Sequence, residues 1–265
     1  MKNPARMKSL LFILALTYFT YVTKDFLLSA SLLAMIFVHE CGHLWAARRR
    51  GFKTKGIYLL PIGGVAIVEG LEHADRDDEA YIAVMGPIWG MAFSFLFFWV
   101  AHLTNSLALL KTGAMLCVVN IFNLAPINPL DGGRIFKSIT FSISRRVGLI
   151  AMMLMVPLAI FIGFRYGIFI FHMIALICYL DYRNEKRTTY SDYEVKKLIG
   201  ETEKDGVKVV IEKPEKKKMS IWKMIAYSIV VALLLISACF PIGAFIEAED
   251  IIEKAEKLIE ESVDK

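Results

Sequence analysis

Cysteine is scarce in this sequence, and no polar stretch is long enough to form a large soluble domain. The four cysteines all lie in apolar segments and have no paired spacing: Cys41, Cys117, Cys178 and Cys239. A disulfide scaffold or a cysteine-rich zinc ribbon needs regularly spaced pairs, so the sequence excludes both classes. We expect the cysteines to pack as small apolar side chains.

Apolar residues are in excess. They make up 56% of the chain, and the mean hydropathy is +0.52, whereas soluble domains have about 45–50% apolar residues. The excess is concentrated in blocks of roughly membrane-spanning length, which predict an all-α polytopic membrane protein. The predicted spans are residues 10–22, 26–47, 80–102, 107–125, 148–164, 167–180 and 221–240. The first block also has the pattern of a secretory signal peptide, but because further spans follow directly we expect a transmembrane helix.

Basic residues predict the orientation of these spans. Arg48, Arg49 and Arg50 directly follow the second apolar block. Lys and Arg are enriched in short cytoplasmic loops, so this cluster places the end of the second span at the cytoplasm. With seven spans and a cytoplasmic N-terminus, most of the remaining Lys and Arg also fall on the cytoplasmic side.

The second block contains His39, Glu40 and His43, in the pattern His-Glu-x-x-His. Residues four apart share a face of a helix, so both imidazoles can bind one metal ion, and Glu40 lies beside them to transfer protons. Two imidazoles at this spacing suit a tetrahedral zinc site that keeps one open position. The alternative is a pair of core histidines beside a buried acid. Buried ionisable groups in an apolar helix are costly without partners, which favours zinc.

Residues 56–70 predict a β-hairpin between the second and third spans. They are rich in β-branched residues, with Pro61, Gly63 and Gly64 in the middle. Such backbone occurs at membrane depth only where it is buried in protein or lines a wet cavity. The hairpin is therefore expected either to border the active site or to lie on the cytoplasmic surface of the membrane.

A second polar group follows the fourth block. Pro126 and Pro129 end regular helix there, and Asp131 emerges just after the break. A His-Glu-x-x-His site needs a third protein ligand, and by its chemistry Asp131 is the best candidate. The alternative is that Asp131 caps a helix that begins near Gly133.

Four motifs carry a resemblance to a known family: His39-Glu40-Cys41-Gly42-His43, Leu59-Leu60-Pro61-Ile62-Gly63-Gly64, Gly86-Pro87, and Asn123-x-x-Pro126-x-x-Pro129-Leu130-Asp131-Gly132. Together they resemble the site-2 protease family of intramembrane zinc metalloproteases, over about residues 26–183. The resemblance is to the compact branch without a PDZ domain, related to the sporulation factor-processing protease of Bacillus. One departure is Gly90, where relatives often carry a polar residue.

The resemblance implies a zinc ion held by His39, His43 and Asp131, with Glu40 as the catalytic base. It implies a role for Asn123 near the substrate or the oxyanion. The hairpin glycines, Gly63 and Gly64, are further candidate substrate contacts. The expected reaction is hydrolysis of a peptide bond within or next to a transmembrane segment of a membrane protein, in the cytoplasmic membrane of a prokaryote.

The predicted organisation has three parts. Residues 1–183 form a six-helix protease core with a short membrane-associated β-hairpin. Residues 184–219 form a Lys-rich cytoplasmic segment, and residues 220–265 form a seventh transmembrane helix with an acidic amphipathic tail. Expected partners are the lipid bilayer and a transmembrane substrate but no nucleic acid, and a homo-oligomer or a regulatory membrane partner is left open. The alternatives are a membrane-bound zincin acting on soluble or misfolded proteins and a non-enzymatic transport or immunity protein.

Overall fold

The computed structural model describes residues 4–60, 63–71, 74–166, 171–186 and 216–263. The helices and strands are α1 (Pro4–Thr23), α2 (Phe26–Arg49), β1 (Thr54–Leu60), β2 (Gly63–Val68), α3 (Arg76–Thr104), α4 (Leu107–Asn123), α5 (Asp131–Ile143), α6 (Arg145–Tyr166), α7 (helical residues 171–186) and α8 (Ile221–Val263).

Among the described residues, four helices are long and apolar enough to cross a membrane. They are α2, α3, residues Arg145–Arg165 of α6 and residues Ile221–Lys254 of α8, whereas α1 and α4 are shorter apolar helices. The chain is therefore a multi-pass membrane protein built from helices, as its composition predicts. The count of six core helices and a seventh span stays a prediction. The predicted start of the sixth span, at residues 167–170, lies outside the described residues.

Local sequence sets the ends of α2. The Asp25 carboxylate accepts a hydrogen bond from the Leu28 backbone N–H at 3.1 Å, which satisfies one of the free donors at the start of the helix. At the other end, Arg48 and Arg49 stabilise the carbonyl end of the helix dipole. Gly51 follows with φ +85°, a left-handed conformation that glycine adopts without a steric cost.

The chain divides into two compact units. The first holds the described residues of Met1–Leu71, Tyr81–Leu124 and Ala226–Lys265, and the second those of Glu72–Ala80 and Ala125–Ile225. The three-part organisation predicted from the sequence stays a prediction.

The first unit contains the hairpin, which confirms the strands predicted within residues 56–70. β1 and β2 pair antiparallel, with Leu59 opposite Gly64. Val68 packs against the buried cluster of Ala46, Ala47 and Ile82. This contact attaches the hairpin to the end of α2 and the beginning of α3.

The second unit has an apolar core in which Ile127 packs among α6 and α7. It also has a buried group of charged side chains. The Arg76 guanidinium lies 2.6 Å from the Glu185 carboxylate and 4.5 Å from the centre of the Phe141 ring. The Lys137 ammonium lies 2.8 Å from the Asp181 carboxylate. Buried charges are stable only when they are paired, and these pairs join the start of α3, α5 and α7.

Residues just before α8 attach to the same region. The Arg76 backbone N–H donates to the Lys217 carbonyl at 3.2 Å, and the Lys217 N–H donates to the Asp75 carboxylate at 3.0 Å. Met219 is buried, and its N–H donates to the Ser142 hydroxyl at 3.1 Å. The first turn of α3 is therefore held in part by backbone from a distant part of the sequence.

The helix of the predicted seventh span is longer than the span itself. The sequence predicts a span over residues 221–240 followed by an amphipathic tail, and α8 continues through Pro241 as one helix that includes both parts. The end of the membrane span stays a prediction. Proline removes one backbone hydrogen bond, but in apolar surroundings the other backbone groups still need helical partners. Ala238 and Ile242, on either side of the proline, pack in one cluster with Met91 and Cys117, which stabilises both adjoining turns.

Candidate metal centre

His39 and His43 lie on one face of α2 and point at the same space. They are 3% and 6% exposed, and their Nε2 atoms are 3.1 Å apart. Two nitrogens bound to one tetrahedral zinc ion at about 2.0–2.1 Å would be roughly 3.3 Å apart. The observed separation is therefore close to that of a metal-binding pair.

The other ring nitrogen of His43 faces an oxygen of the backbone. His43 Nδ1 is 2.7 Å from the carbonyl oxygen of Ile82, on α3. A carbonyl oxygen can only accept a hydrogen bond, so Nδ1 carries the hydrogen and Nε2 keeps its lone pair. A contact of this kind fixes the tautomer and the orientation of metal-binding histidines.

His39 is oriented in the same way by a side chain. Its Nδ1 lies 3.3 Å from Oδ1 of Asn120, on α4. The Asn120 Nδ2 donates to the Leu116 carbonyl at 3.0 Å, which turns the amide oxygen toward His39. His39 therefore also donates from Nδ1, and both Nε2 lone pairs point into one space. This donor arrangement fits a metal ion.

A glycine of α3 makes room for the two imidazoles. A Cβ atom at Gly86 would lie 2.3 Å from Nε2 of His43 and 2.7 Å from Nε2 of His39. Any side chain at this position would displace both rings. At the neighbouring residue of α2, a Cβ at Gly42 would lie 2.5 Å from the carbonyl oxygen of Met85, so α2 and α3 meet backbone to backbone. The motif Gly86-Pro87 thus has a steric role at the site.

Glu40 lies against the hairpin. Its side chain is buried, at 8% exposed, and a Cβ added to Gly64 would lie 2.6 Å from Cγ and 3.0 Å from Oε1 of Glu40. Strand β2 can pass this close only because residue 64 has no side chain. Gly63 begins β2 opposite Leu60.

Asn123 lies next to the imidazole pair. Its Nδ2 is 3.4 Å from Nε2 of His39. Asn120 and Asn123 are three residues apart and share a face of α4, so one amide contacts each nitrogen of the same ring. The first unit thus brings together His39, Glu40, His43 and two asparagines. Asn120 was not among the predicted site residues, although its spacing of three residues from Asn123 places both on one face of the helix.

Asp131 lies in the second unit. It is 7% exposed and is the first residue of α5, and its carboxylate is 3.6 Å from the Arg134 guanidinium. The N-cap is Leu130, whose side chain makes no capping hydrogen bond. The alternative that Asp131 caps a helix starting near Gly133 is therefore wrong, because the helix starts at Asp131 itself. Its role as a metal ligand stays a prediction.

The turn before Asp131 packs closely against the first residues of α5, which fixes the position of Asp131 in the chain. A Cβ atom at Gly133 would lie 2.2 Å from the backbone nitrogen of Asn128 and 2.2 Å from the carbonyl carbon of Ile127. The turn before α5 therefore lies directly on its first residues. Gly133, the second glycine after Asp131, makes this close contact possible because it has no side chain.

Comparison with known proteins agrees with this geometry. Residues 27–113 match the model of peptidase family M50. A zinc metalloprotease of Methanocaldococcus jannaschii is 34% identical over 113 residues, which cover 41% of this chain and 32% of the relative. Stage IV sporulation protein FB of Bacillus subtilis is 31% identical over 128 residues, which cover 44% of this chain and 43% of the relative. The chain thus spans less than half the length of these curated relatives.

The matched segment contains His39, Glu40, His43 and Gly86, the residues around which the first unit builds its histidine pair. The family resemblance drawn from the motifs is confirmed. Over residues 27–113, the chain is similar to peptidase family M50, the family of the site-2 proteases.

Proposed function

We propose that this protein is a zinc-dependent intramembrane endoprotease. It hydrolyses peptide bonds within or next to a transmembrane segment of a membrane-protein substrate. The observation that carries the proposal is the pair of Nε2 atoms 3.1 Å apart on His39 and His43, inside a helix of membrane-spanning length. The names of the relatives support zinc as the metal.

Zinc is held by His39, His43 and Asp131. All three side chains are buried. Two imidazoles and one carboxylate are a ligand set that suits zinc. Three protein ligands are the usual number in a catalytic zinc site. When bound, zinc supplies a Lewis acid that activates water and polarises the scissile carbonyl.

Glu40 acts as the general base. Its carboxylate follows His39 in the sequence and is buried beside the hairpin, where it accepts a proton from the attacking water and later donates it to the leaving amine. The Asn123 amide, whose Nδ2 lies 3.4 Å from Nε2 of His39, donates a hydrogen bond to the carbonyl oxygen of the scissile bond as negative charge develops there.

An apolar cavity beside the site takes the substrate. It has a volume of about 800 Å³ and lies between α1, α2 and β1, lined by residues such as Phe12, Leu33 and Leu59. Leu59 pairs with Gly64, which in turn lies against Glu40, so one cross-strand pair joins the cavity to the catalytic base. The volume and apolar lining suit the side chains of a transmembrane segment.

The substrate must unwind locally, because a helix hides its carbonyls in backbone hydrogen bonds. The hairpin compensates by pairing with the unwound stretch as an added strand. Substrates therefore carry helix-weakening residues near the cleavage site. Replacing these residues with strong helix formers slows cleavage, and an unchanged rate would contradict this part of the proposal.

The active site opens to the cytoplasm, and the N-terminus is cytoplasmic. The support is the cluster Arg48, Arg49 and Arg50, which follows His43 by about 7.5 Å of helix. A reporter fused to either terminus, or labelling of a single cysteine placed at Arg50, tests this orientation in cells. Labelling from the periplasm would contradict it.

The deciding experiment measures zinc content and cleavage in the full-length protein, purified in detergent. We expect one zinc per chain in the wild type, loss of zinc in Asp131→Ala, and retained zinc without turnover in Glu40→Gln. The substrate is a transmembrane peptide, with an unfolded soluble protein assayed beside it. A wild type without zinc, or a Glu40→Gln variant that cleaves normally, would overturn the proposal. Cleavage of the soluble protein alone would favour a zincin acting outside the bilayer.

A further inference from the structure

Asn120 is a fully buried amide in the middle of the first unit, at 0% exposed. Three acceptors surround its Nδ2: the Leu116 carbonyl at 3.0 Å, the Met35 sulfur at 3.3 Å and the Ser94 hydroxyl at 3.4 Å. The Ser94 hydroxyl donates its own hydrogen to the Gly90 carbonyl at 2.8 Å, so its oxygen is available to accept from Asn120.

These contacts fix which end of the amide faces the metal centre. With Nδ2 directed at acceptors on α2, α3 and α4, Oδ1 is directed at Nδ1 of His39, 3.3 Å away. An oxygen at that point accepts the Nδ1 hydrogen and leaves the lone pair of His39 on Nε2, where the metal would bind. The reversed amide would place a donor against Nδ1 and favour the wrong tautomer.

Gly90 leaves the space that Asn120 occupies. A Cβ atom at residue 90 would lie 2.2 Å from Oδ1, 3.0 Å from Cγ and 3.1 Å from Nδ2 of Asn120. The amide is held on its other sides by the contacts described above, so it cannot move away without breaking one of them. An alanine at position 90 would therefore push Oδ1 out of line with His39.

We infer that Asn120 is a positioning residue that holds His39 in the tautomer and orientation needed for zinc, and that Gly90 acts through Asn120. The inference rests on the proposed metal centre. Asn120 does not touch the substrate or the metal in this assignment, so its effect is on metal affinity first and on turnover only as a consequence.

Zinc affinity of the full-length protein in detergent, measured by competition with a chromophoric chelator, tests the role of Asn120. Asn120→Leu keeps a similar volume but removes the acceptor, and we expect zinc to bind about 10- to 100-fold more weakly. Asn120→Asp keeps an acceptor for Nδ1 and should restore affinity to within a few-fold of wild type. Wild-type affinity in Asn120→Leu, or equally weak binding in both variants, would overturn the inference.

A double-mutant cycle tests the role of Gly90. We expect Gly90→Ala and Asn120→Ala each to weaken zinc binding, and the double variant to bind no more weakly than Asn120→Ala alone, because the clash disappears with the amide. Additive losses would show that Gly90 acts independently of Asn120. The matched control is Gly113→Ala, which crowds the same helix pair at Phe97 with a contact of 3.2 Å and should leave zinc affinity unchanged.

The outcomes separate this inference from the proposed function. Tight zinc binding by the wild type, with no loss in Asn120→Leu, would refute the inference and leave the proposed protease intact. A wild type that binds no zinc would refute both. The absorption spectrum of the cobalt-substituted protein gives an independent readout, since a displaced His39 changes the ligand field in Asn120→Leu and not in Asn120→Asp. Melting temperatures identify any variant that fails to fold. If Asn120→Leu does not fold, the double-mutant cycle of Gly90→Ala and Asn120→Ala tests the inference in its place.

Discussion

His43 Nδ1 lies 2.7 Å from the backbone carbonyl oxygen of Ile82, so α3 orients a histidine of α2 through an atom that no substitution can remove. The neighbouring His39 depends instead on the side chain of Asn120. The two imidazoles of the candidate metal centre are therefore supported unequally, and substitutions can loosen His39 alone.

Gly86→Ala should weaken zinc binding by at least tenfold and reduce cleavage with it, because the added methyl group would overlap both imidazoles. The measurement is zinc affinity by chelator competition. The matched control is Gly243→Ala in α8, where the added Cβ would meet no described atom within 4 Å apart from its chain neighbours and the backbone of its own helix. The control should bind zinc normally and be slightly more stable, by up to about 1 kcal/mol, from helix propensity. Normal zinc affinity in Gly86→Ala would contradict the steric argument.

Gly64→Ala should lower kcat and leave zinc affinity unchanged. The added Cβ would lie 2.6 Å from Cγ of Glu40 and displace the base but not the ligands. A displacement of about 1 Å can cost on the order of 100-fold in rate. Val65→Thr, an exposed and nearly isosteric change at the next residue of β2, is the control and should have little effect. Loss of zinc in Gly64→Ala would mean that the hairpin supports the ligands rather than the base.

Ala34→Phe should raise KM for a transmembrane peptide several-fold, with kcat and zinc content nearly unchanged. Ala34 lines the apolar cavity between α1, α2 and β1, and a phenyl ring there would occupy part of its volume of about 800 Å³. Val118→Phe places the same ring on an exposed part of α4 and serves as the control. Equal KM values for Ala34→Phe and wild type would show that the substrate does not use this cavity.

The protein should lose stability in acid when the Glu185 carboxylate becomes protonated. Burial alone would raise the pKa of Glu185, but Lys137 and Arg76 beside it lower the pKa below the ordinary value of 4.5. A lowered carboxyl pKa stabilises the fold fully above about pH 4.5, and this stabilisation is lost as the pH falls through the folded-state pKa. The melting temperature in detergent between pH 7 and pH 3 measures the loss.

Glu185→Gln removes the charge that Arg76 and Lys137 pair with, so at neutral pH it should cost about 1–3 kcal/mol and flatten the acid side of the stability profile. Glu249→Gln changes an exposed glutamate of α8 and should leave the profile unchanged. Identical acid profiles for wild type and Glu185→Gln would show that this ion pair does not control the transition.

Much of the fold and site follows from local sequence. Apolar blocks predicted α2, α3 and α6 to within a few residues, and the β-branched run with Gly63 and Gly64 predicted the hairpin. Both patterns are formed by residues that are close together in the sequence, so they can be recognised without knowledge of distant contacts. The spacing of His39 and His43 predicted their shared face for the same reason. The spacing of Asn120 from Asn123 indicates only that both share a face of α4. The role of Asn120 could not be predicted, since it depends on contacts with Met35 and Ser94 from other helices. The passage of α8 through Pro241 likewise depends on packing against Met91 and Cys117.

Because the Arg76 N–H donates to the Lys217 carbonyl, the segment that is similar to the family model depends for part of its structure on residues outside it. Residues 27–113 match the family model, yet the first turn of α3 within them is completed by chain more than a hundred residues later. Cutting the gene at the end of the matched segment would leave Asp75 and the Arg76 N–H without these partners. Expression of a shortened protein should therefore retain residues through at least Met219, which is buried in the second unit.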